Sequence, residues 1–173
     1  DHVIATPKHY LGHGGTHGVD QGDNTESERQ LRDRDAAGYP PAIEAGAQSI
    51  MVSFSSWQGV KMVGSYGLLT EVLKQRWHFD GFTVGDWNAH GQLPGCTDAS
   101  CPQAVLAGLD MFMAPSDWKG LFKNTLEQVR SGQIPRSRLN DAVKRILRVK
   151  LRDRLFTEGP PASRPLAGHF ELL

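Results

Sequence analysis

The chain is poor in cysteine, even in charge and free of long apolar runs, and each shortage removes a class of protein. Two cysteines in 173 residues are too few for a disulfide scaffold. With no second Cys/His pair at ligand spacing, they also argue against a zinc site. Lys+Arg and Asp+Glu both number 19, so no basic field attracts nucleic acid or an anionic membrane. No apolar run approaches the roughly 20 residues of a membrane helix. The Walker pattern and G-x-S-x-G are both missing, which removes the phosphate loop and the serine-hydrolase elbow. "GHGGTHG" at 12–18 is glycine-rich and follows an apolar run, yet it lacks the dinucleotide fingerprint. The opening "DHVIATPKHY" reads as the start of a strand and not as a signal peptide, as if residue 1 were an internal boundary. Cys96 and Cys101, in "GCTDASC", leave two readings: a small disulfide loop, which suits a periplasmic or secreted protein, or two free thiols.

What is present is an alternation. Val3–Thr6, Ser49–Phe54, Gly81–Val84 and Leu109–Met113 are short, nearly continuous apolar runs, the pattern of strands buried on both faces of a parallel sheet. Helical spacing fills the segments between and after them. Leu68, Leu69, Val72 and Leu73 share one face, as do Leu121, Phe122, Leu126 and Val129. Leu139, Ala142, Val143, Ile146, Leu147 and Leu151 form the clearest stripe, with Ser137 as expected N-cap and basic residues crowding the end. The segment 25–47 is polar at first, broken at Gly38–Pro41 and helical over its later part. After Phe156, "TEGPPASRPLAG" reads as a linker, which puts the domain at 1–156 and a tail at 157–173. Strand and helix alternating four times over mean an α/β fold. The pattern fits an open doubly wound sheet or a (β/α)4 half of a TIM barrel, since a full barrel needs eight strands and about 250 residues.

In parallel α/β folds the reactive groups gather beyond the C-terminal strand ends. Those ends carry Lys8-His9, Ser55-Ser56-Trp57, Asp86-Trp87 and Ala114-Pro115. A lone aspartate in such a place caps a helix more often than it reacts, and a lone tryptophan is usually core. Here carboxylate, cation and two indoles fall on one rim, a combination that suits a sugar: C–H faces stack on indole, and hydroxyls bond to charged groups.

Five stretches, "KHYLGHGGT", "VSFSSWQGVKM", "GFTVGDW", "AGLDMFMAP" and "DAVKRILRVKL", resemble in order and spacing the second half of the catalytic barrel of glycoside hydrolase family 3, in its β-glucosidase and exo-β-glucanase branch. The likeness runs from Val3 to about Phe156. It implies a retaining β-glucosidase that removes terminal β-linked glucose from glucosides or β-glucan oligosaccharides, with no cofactor. It implies Asp86 as nucleophile, Lys8 and His9 as ligands of the terminal sugar's hydroxyls and Trp87 as an aromatic wall. Gly85 stands where the family usually has Ser, and Phe54 where relatives often carry Tyr. A retaining glycosidase also needs a protonated acid about 5–5.5 Å from the nucleophile.

The resemblance leaves that acid unsupplied, because the family's glutamate belongs to a second domain that this sequence does not contain. Glu158 and Glu171 fall in the tail. His17 and Asp20, on the loop after Lys8-His9, are the acid/base candidates within reach, although their order and spacing differ from the His-Asp pair of the family's other branch. Half a barrel has two open edges, at Val3–Thr6 and Leu109–Met113, so the expectation is self-association into a homodimer or larger homo-oligomer. The alternative function is a half-barrel that binds sugar without hydrolysing it efficiently.

Overall fold

The computed structural model describes residues 3–163 and 167–168; Glu171 lies outside them. In chain order its strands are Asp23–Asn24 (β1), Ser49–Met51 (β2), Ser56–Trp57 (β3), Val60–Lys61 (β4), Phe82–Trp87 (β5) and Met111–Met113 (β6). The α-helices are Glu28–Gln30 (α1), Tyr39–Glu44 (α2), Pro102–Ala107 (α3), Trp118–Arg130 (α4) and Arg136–Arg152 (α5), and π-helical turns cover Leu31–Asp35 and Gly67–Arg76. The α/β alternation is present. β2, β5 and β6 form a parallel sheet in that order. The segment before them extends the ladder on the β2 side: Met51 N donates to Pro7 O (3.1 Å), Tyr10 N donates to Met51 O (2.8 Å), and Tyr10 bridges Val52 in parallel. Four parallel segments therefore lie in sequence order.

Several boundaries differ from the sequence expectation, each for a local reason. Val3–Thr6 is not a strand; pairing starts at Pro7, which joins the ladder only through its carbonyl, having no N–H to donate. The second run forms ladder only to Val52, because Ser55 and Ser56 turn away into a small separate sheet, β1-β3-β4. The third strand runs on to Trp87, so Asp86 is a strand residue and not a loop residue. The fourth is confined to Met111–Met113. Gly38–Pro41 starts α2 rather than breaking a helix, because proline suits the first helical positions. Ser137 lies inside α5 and does not cap it, the cap position being Pro135.

Burial sorts the helical stripes. Leu69 and Leu73 are fully buried, joining Tyr10, Ile50, Val52, Phe79 and Leu109 in the core. In α4 only Leu121 of the expected stripe is buried, while Phe122 and Leu126 are exposed; in α5 Ala142 and Val149 are buried, while Val143, Leu147 and Leu151 are exposed. The stripes are wider than the surface the described residues offer them.

The arginines of α5 do more than crowd a helix end. Arg145 Nη1 donates to Phe79 O (2.7 Å) and Gly81 O (2.9 Å), Arg148 donates to Asp80 O (2.6 Å), and Arg152 forks onto the Asp80 carboxylate (2.9 and 2.6 Å). Together they hold the turn that enters β5. Beside that strand, the Asp110 side chain is fully buried. It accepts from Lys74 Nζ on both oxygens (2.8 Å each), from Thr83 N (2.9 Å) and from Arg138. Burial pulls the Lys74 ammonium down to about 8, against the upward pull of Asp110. Removing one partner of such a cluster strands the others, so Asp110→Ala is expected to lower unfolding free energy by about 3–5 kcal/mol, measured by urea denaturation.

Candidate active site

The loop after the first parallel segment is built by close approach. Gly12 has φ +83°, open to glycine at little cost. Gly15 packs directly on the Asn24 side chain, which donates to Gly12 O at 2.9 Å; a Cβ at residue 15 would overlap that carboxamide. This accounts for much of "GHGGTHG" as structure rather than as a phosphate loop.

At the C-terminal end of β5, Asp86 Oδ1 accepts from Trp87 N (2.7 Å) and Oδ2 lies 3.6 Å from His9 Nε2. Both side chains are partly accessible, at 22% and 28%. Burial lowers the His9 imidazole below its ordinary range, Asp86 opposes this, and Lys8 and His13 add to the fall. The balance favours the uncharged imidazole at His9.

Two cavities flank this pair. One, of about 340 Å³, is lined by Asp20, Gln21, Phe54, Asp86 and Trp87. The other, of about 430 Å³, is lined by Lys8, His9, His13, Asp35, Tyr39 and their glycine and proline neighbours. The sequence candidates therefore meet at one rim but divide: Asp86, Trp87, Phe54 and Asp20 face one space, Lys8 and His9 the other. His17 lines neither. It stands exposed, with φ +55°, at the end of the turn His13–Thr16. Glu158 lies in the exposed tail beyond α5, ion-paired with Arg154 at 3.5 Å. Trp87 is 63% exposed and offers an open aromatic face. Trp57, on β3, is partly buried, its indole N–H donating to Glu26 O at 2.8 Å, so it braces a loop.

Sequence reasoning missed Gln21, His13 and Lys61. Lys61 Nζ donates to Phe54 O (3.0 Å) and Gln21 O (3.2 Å), tying two walls of the Asp86 cavity together. "QGVKM" carried Lys61 in plain view, but a lysine donating to two carbonyls leaves no periodic trace. Cys96 and Cys101 are disulfide-bonded, with Cα atoms 4.7 Å apart. The loop they close presents Asp98 O to His90 Nε2 at 2.9 Å, three residues after Trp87 in the chain. Among the described residues no cluster of three His, Cys, Asp or Glu could hold a metal ion, and no helix is long and apolar enough to cross a membrane.

At the C-terminal edge of the parallel sheet a strand-borne carboxylate thus stands beside a histidine, with indole and amide around it. Residues 1–149 match the model of the glycosyl hydrolase family 3 N-terminal domain, and the chain belongs to that family. It is 37% identical over 168 residues to a lysosomal beta glucosidase of Dictyostelium discoideum, covering 92% of this chain and 20% of that protein. It is 28% identical to a periplasmic beta-glucosidase of Salmonella typhimurium, covering 95% of this chain and 22% of that one. The crystal structure of an exo-1,3/1,4-beta-glucanase from a Pseudoalteromonas species superposes with a TM-score of 0.92 at 48% identity, over 96% of this chain and 21% of that one. The chain thus spans about a fifth of the length of these relatives.

The His9–Asp86 contact has a direct readout. Because the Asp86 charge favours imidazolium, Asp86→Asn should shift the His9 titration midpoint, already below 6.5, further toward acid, as followed by NMR of the imidazole. An unchanged midpoint would mean the two side chains do not interact.

Proposed function

We propose that this chain supplies the nucleophile half of a retaining β-glucosidase acting on terminal β-D-glucosyl residues of glucosides or β-glucan oligosaccharides. The observation that carries the reading is Asp86: a carboxylate at a strand end, 3.6 Å from a histidine and opening on a cavity walled by aromatic side chains. The names of the relatives, beta-glucosidases and an exo-1,3/1,4-beta-glucanase, support the substrate class.

In this reading Lys8 and His9 hold hydroxyls of the terminal sugar. Asp86 attacks its anomeric carbon as the bond to the leaving oxygen breaks, and water then displaces the carboxylate. A separate acid protonates the leaving oxygen. Phe54 in place of a tyrosine removes one hydroxyl near the reacting carboxylate. The reaction needs no metal or organic cofactor.

The fold reading that accompanies it is a (β/α)4 half of a TIM barrel, with residues 1–156 as the domain and 157–173 as a tail. Four parallel segments in sequence order support this, as do the open edges at residues 7–10 and β6. Phe122, Leu147, Leu151 and Phe156, all exposed on or near the last helices, support a covering surface supplied by a second copy. Light scattering at micromolar concentration is expected to give at least twice the 19.0 kDa chain mass; a sharp monomer would reject self-association.

A second reading, sugar binding without efficient hydrolysis, is favoured by one observation. Among the described residues Asp20 is the one further carboxylate lining the Asp86 cavity, and it sits on an exposed loop. A p-nitrophenyl β-glucoside has a good leaving group and cellobiose a poor one, so turnover of the first alone would reveal a nucleophile without an acid. Asp86→Asn should lower aryl-glucoside turnover by on the order of 10³-fold or more while leaving the urea midpoint near wild type. Retention of the wild-type rate would remove Asp86 from the reaction.

A further inference from the structure

Residues 80 and 81 form the one Asp-Gly step in the chain, which has no Asn-Gly. Such a step is chemically fragile. With no Cβ on the second residue, its nitrogen can reach the aspartyl Cγ and close a five-membered succinimide. Glycine is nonetheless required here, because a Cβ on Gly81 would overlap Gln48 O and press on the Phe79 ring. The ladder to β2 opens one residue later, where Phe82 N donates to Gln48 O (3.2 Å), so the Gly81 N–H lies outside it. The Asp80 side chain is 54% exposed, and water reaches it. Nucleophile, electrophile and solvent therefore meet at the entrance to the strand that carries Asp86.

Ring closure has two requirements, and α5 opposes both. Gly81 N bonds to Asp80 Cγ while the amide proton and the carboxyl hydroxyl leave as water, so the carboxyl must be protonated. Arg152 donates to both carboxylate oxygens (2.9 and 2.6 Å), and these bonds hold the group below the usual carboxylate range, in its charged form. Closure also needs the Asp80–Gly81 peptide to turn toward the side chain. Arg148 holds the carbonyl of that same peptide, donating to Asp80 O at 2.6 Å. Arg145 holds the carbonyls on either side, Phe79 O at 2.7 Å and Gly81 O at 2.9 Å. Spacings of three and four residues put the three guanidinium groups on one face of the helix.

We propose that Asp80-Gly81 is a latent modification site, open to succinimide formation and conversion to isoaspartate, which the arginine clamp of α5 holds in check. Water is the one co-reactant. Its addition at Asp80 Cγ reopens the ring to aspartate. Addition at the main-chain carbonyl breaks the original peptide bond and leaves Gly81 joined through Cγ. That isoaspartyl link has the same mass and one more methylene in the backbone. The added length falls just before the first register pair of the ladder, Ser49 with Phe82, and so displaces the strand on which the Asp86 site is built.

The test is ageing of the full chain at neutral pH and body temperature, with isoaspartate located by electron-transfer fragmentation of its peptides. Chain unfolded in urea supplies the unprotected rate, and the folded wild type is expected to convert residue 80 more slowly. The Arg152 pair is half exposed, so Arg152→Ala should speed conversion of residue 80 about three- to fivefold. Arg152→Lys, which keeps the charge without the fork, should fall between the two. Asp23 and Asp98, read in the same digests, separate a lost clamp from a lost fold: the first raises residue 80 alone, the second raises every aspartate. Equal rates in wild type and Arg152→Ala, a rise shared by all aspartates, or a folded wild type as fast as the urea-unfolded chain would overturn the proposal.

Discussion

The site depends on the placement of one strand. β5 lies between β2 and β6, paired in parallel to both, with Thr83 opposite Ile50 and Trp87 opposite Met113. Its entry turn is held by three arginines of α5, and Thr83 bonds through both backbone and side chain to buried Asp110. A buried charge cluster is a poor source of net stability compared with apolar packing, because desolvation offsets its attraction. It does penalise any slip of β5 relative to its neighbours: a one-residue shift would send Asp86 to the opposite face and cost Asp110 its bonds from Thr83. The cluster lies three residues before the carboxylate and makes no contact with the cavity it serves.

From that placement the rim is organised into two spaces. His9 and Asp86 stand at the divide, 3.6 Å apart, one on the first parallel segment and one on the third. Lys8 points the cationic side of the rim into the larger space, and Trp87 the aromatic side into the smaller. Lys61 contributes as a strut rather than as a charge at the surface. Burial lowers its pKa while Asp23 and Asp20 oppose the shift, and two of its three N–H groups are spent on backbone carbonyls.

How much of this could be read from the residues alone follows from which interactions leave a period. The continuous apolar runs marked the ladder at Ser49, Phe82 and Met111, because strands buried on both faces tolerate little else. Two-residue strands leave no such trace, so β1, β3 and β4 went unseen, as did the six-residue α3. Leu121 and Ala142 matched the expected helix faces, whereas Phe122 and Leu151 did not, since an apolar stripe records what a helix can bury and not what lies against it. Asp86 and Trp87 were legible as a strand-end pair. That Asp20 shares their cavity and His17 does not was beyond reach, because the loop's path is set by Lys61 and Gln92 from distant parts of the chain. The arginines of α5 read as complements to the helix dipole, while their partners are carbonyls and a carboxylate some 70 residues earlier.

The central claim is that the Asp86 carboxylate bonds covalently to the sugar's anomeric carbon. A 2-deoxy-2-fluoro-β-glucosyl fluoride tests it without help from any acid, since fluoride departs with little need of protonation and the ring fluorine slows release of the sugar. Digestion of the treated chain and mass spectrometry of its peptides should find one fluoroglucosyl group, carried by Asp86. A label on any other side chain, or an unlabelled chain after prolonged incubation, would contradict the account.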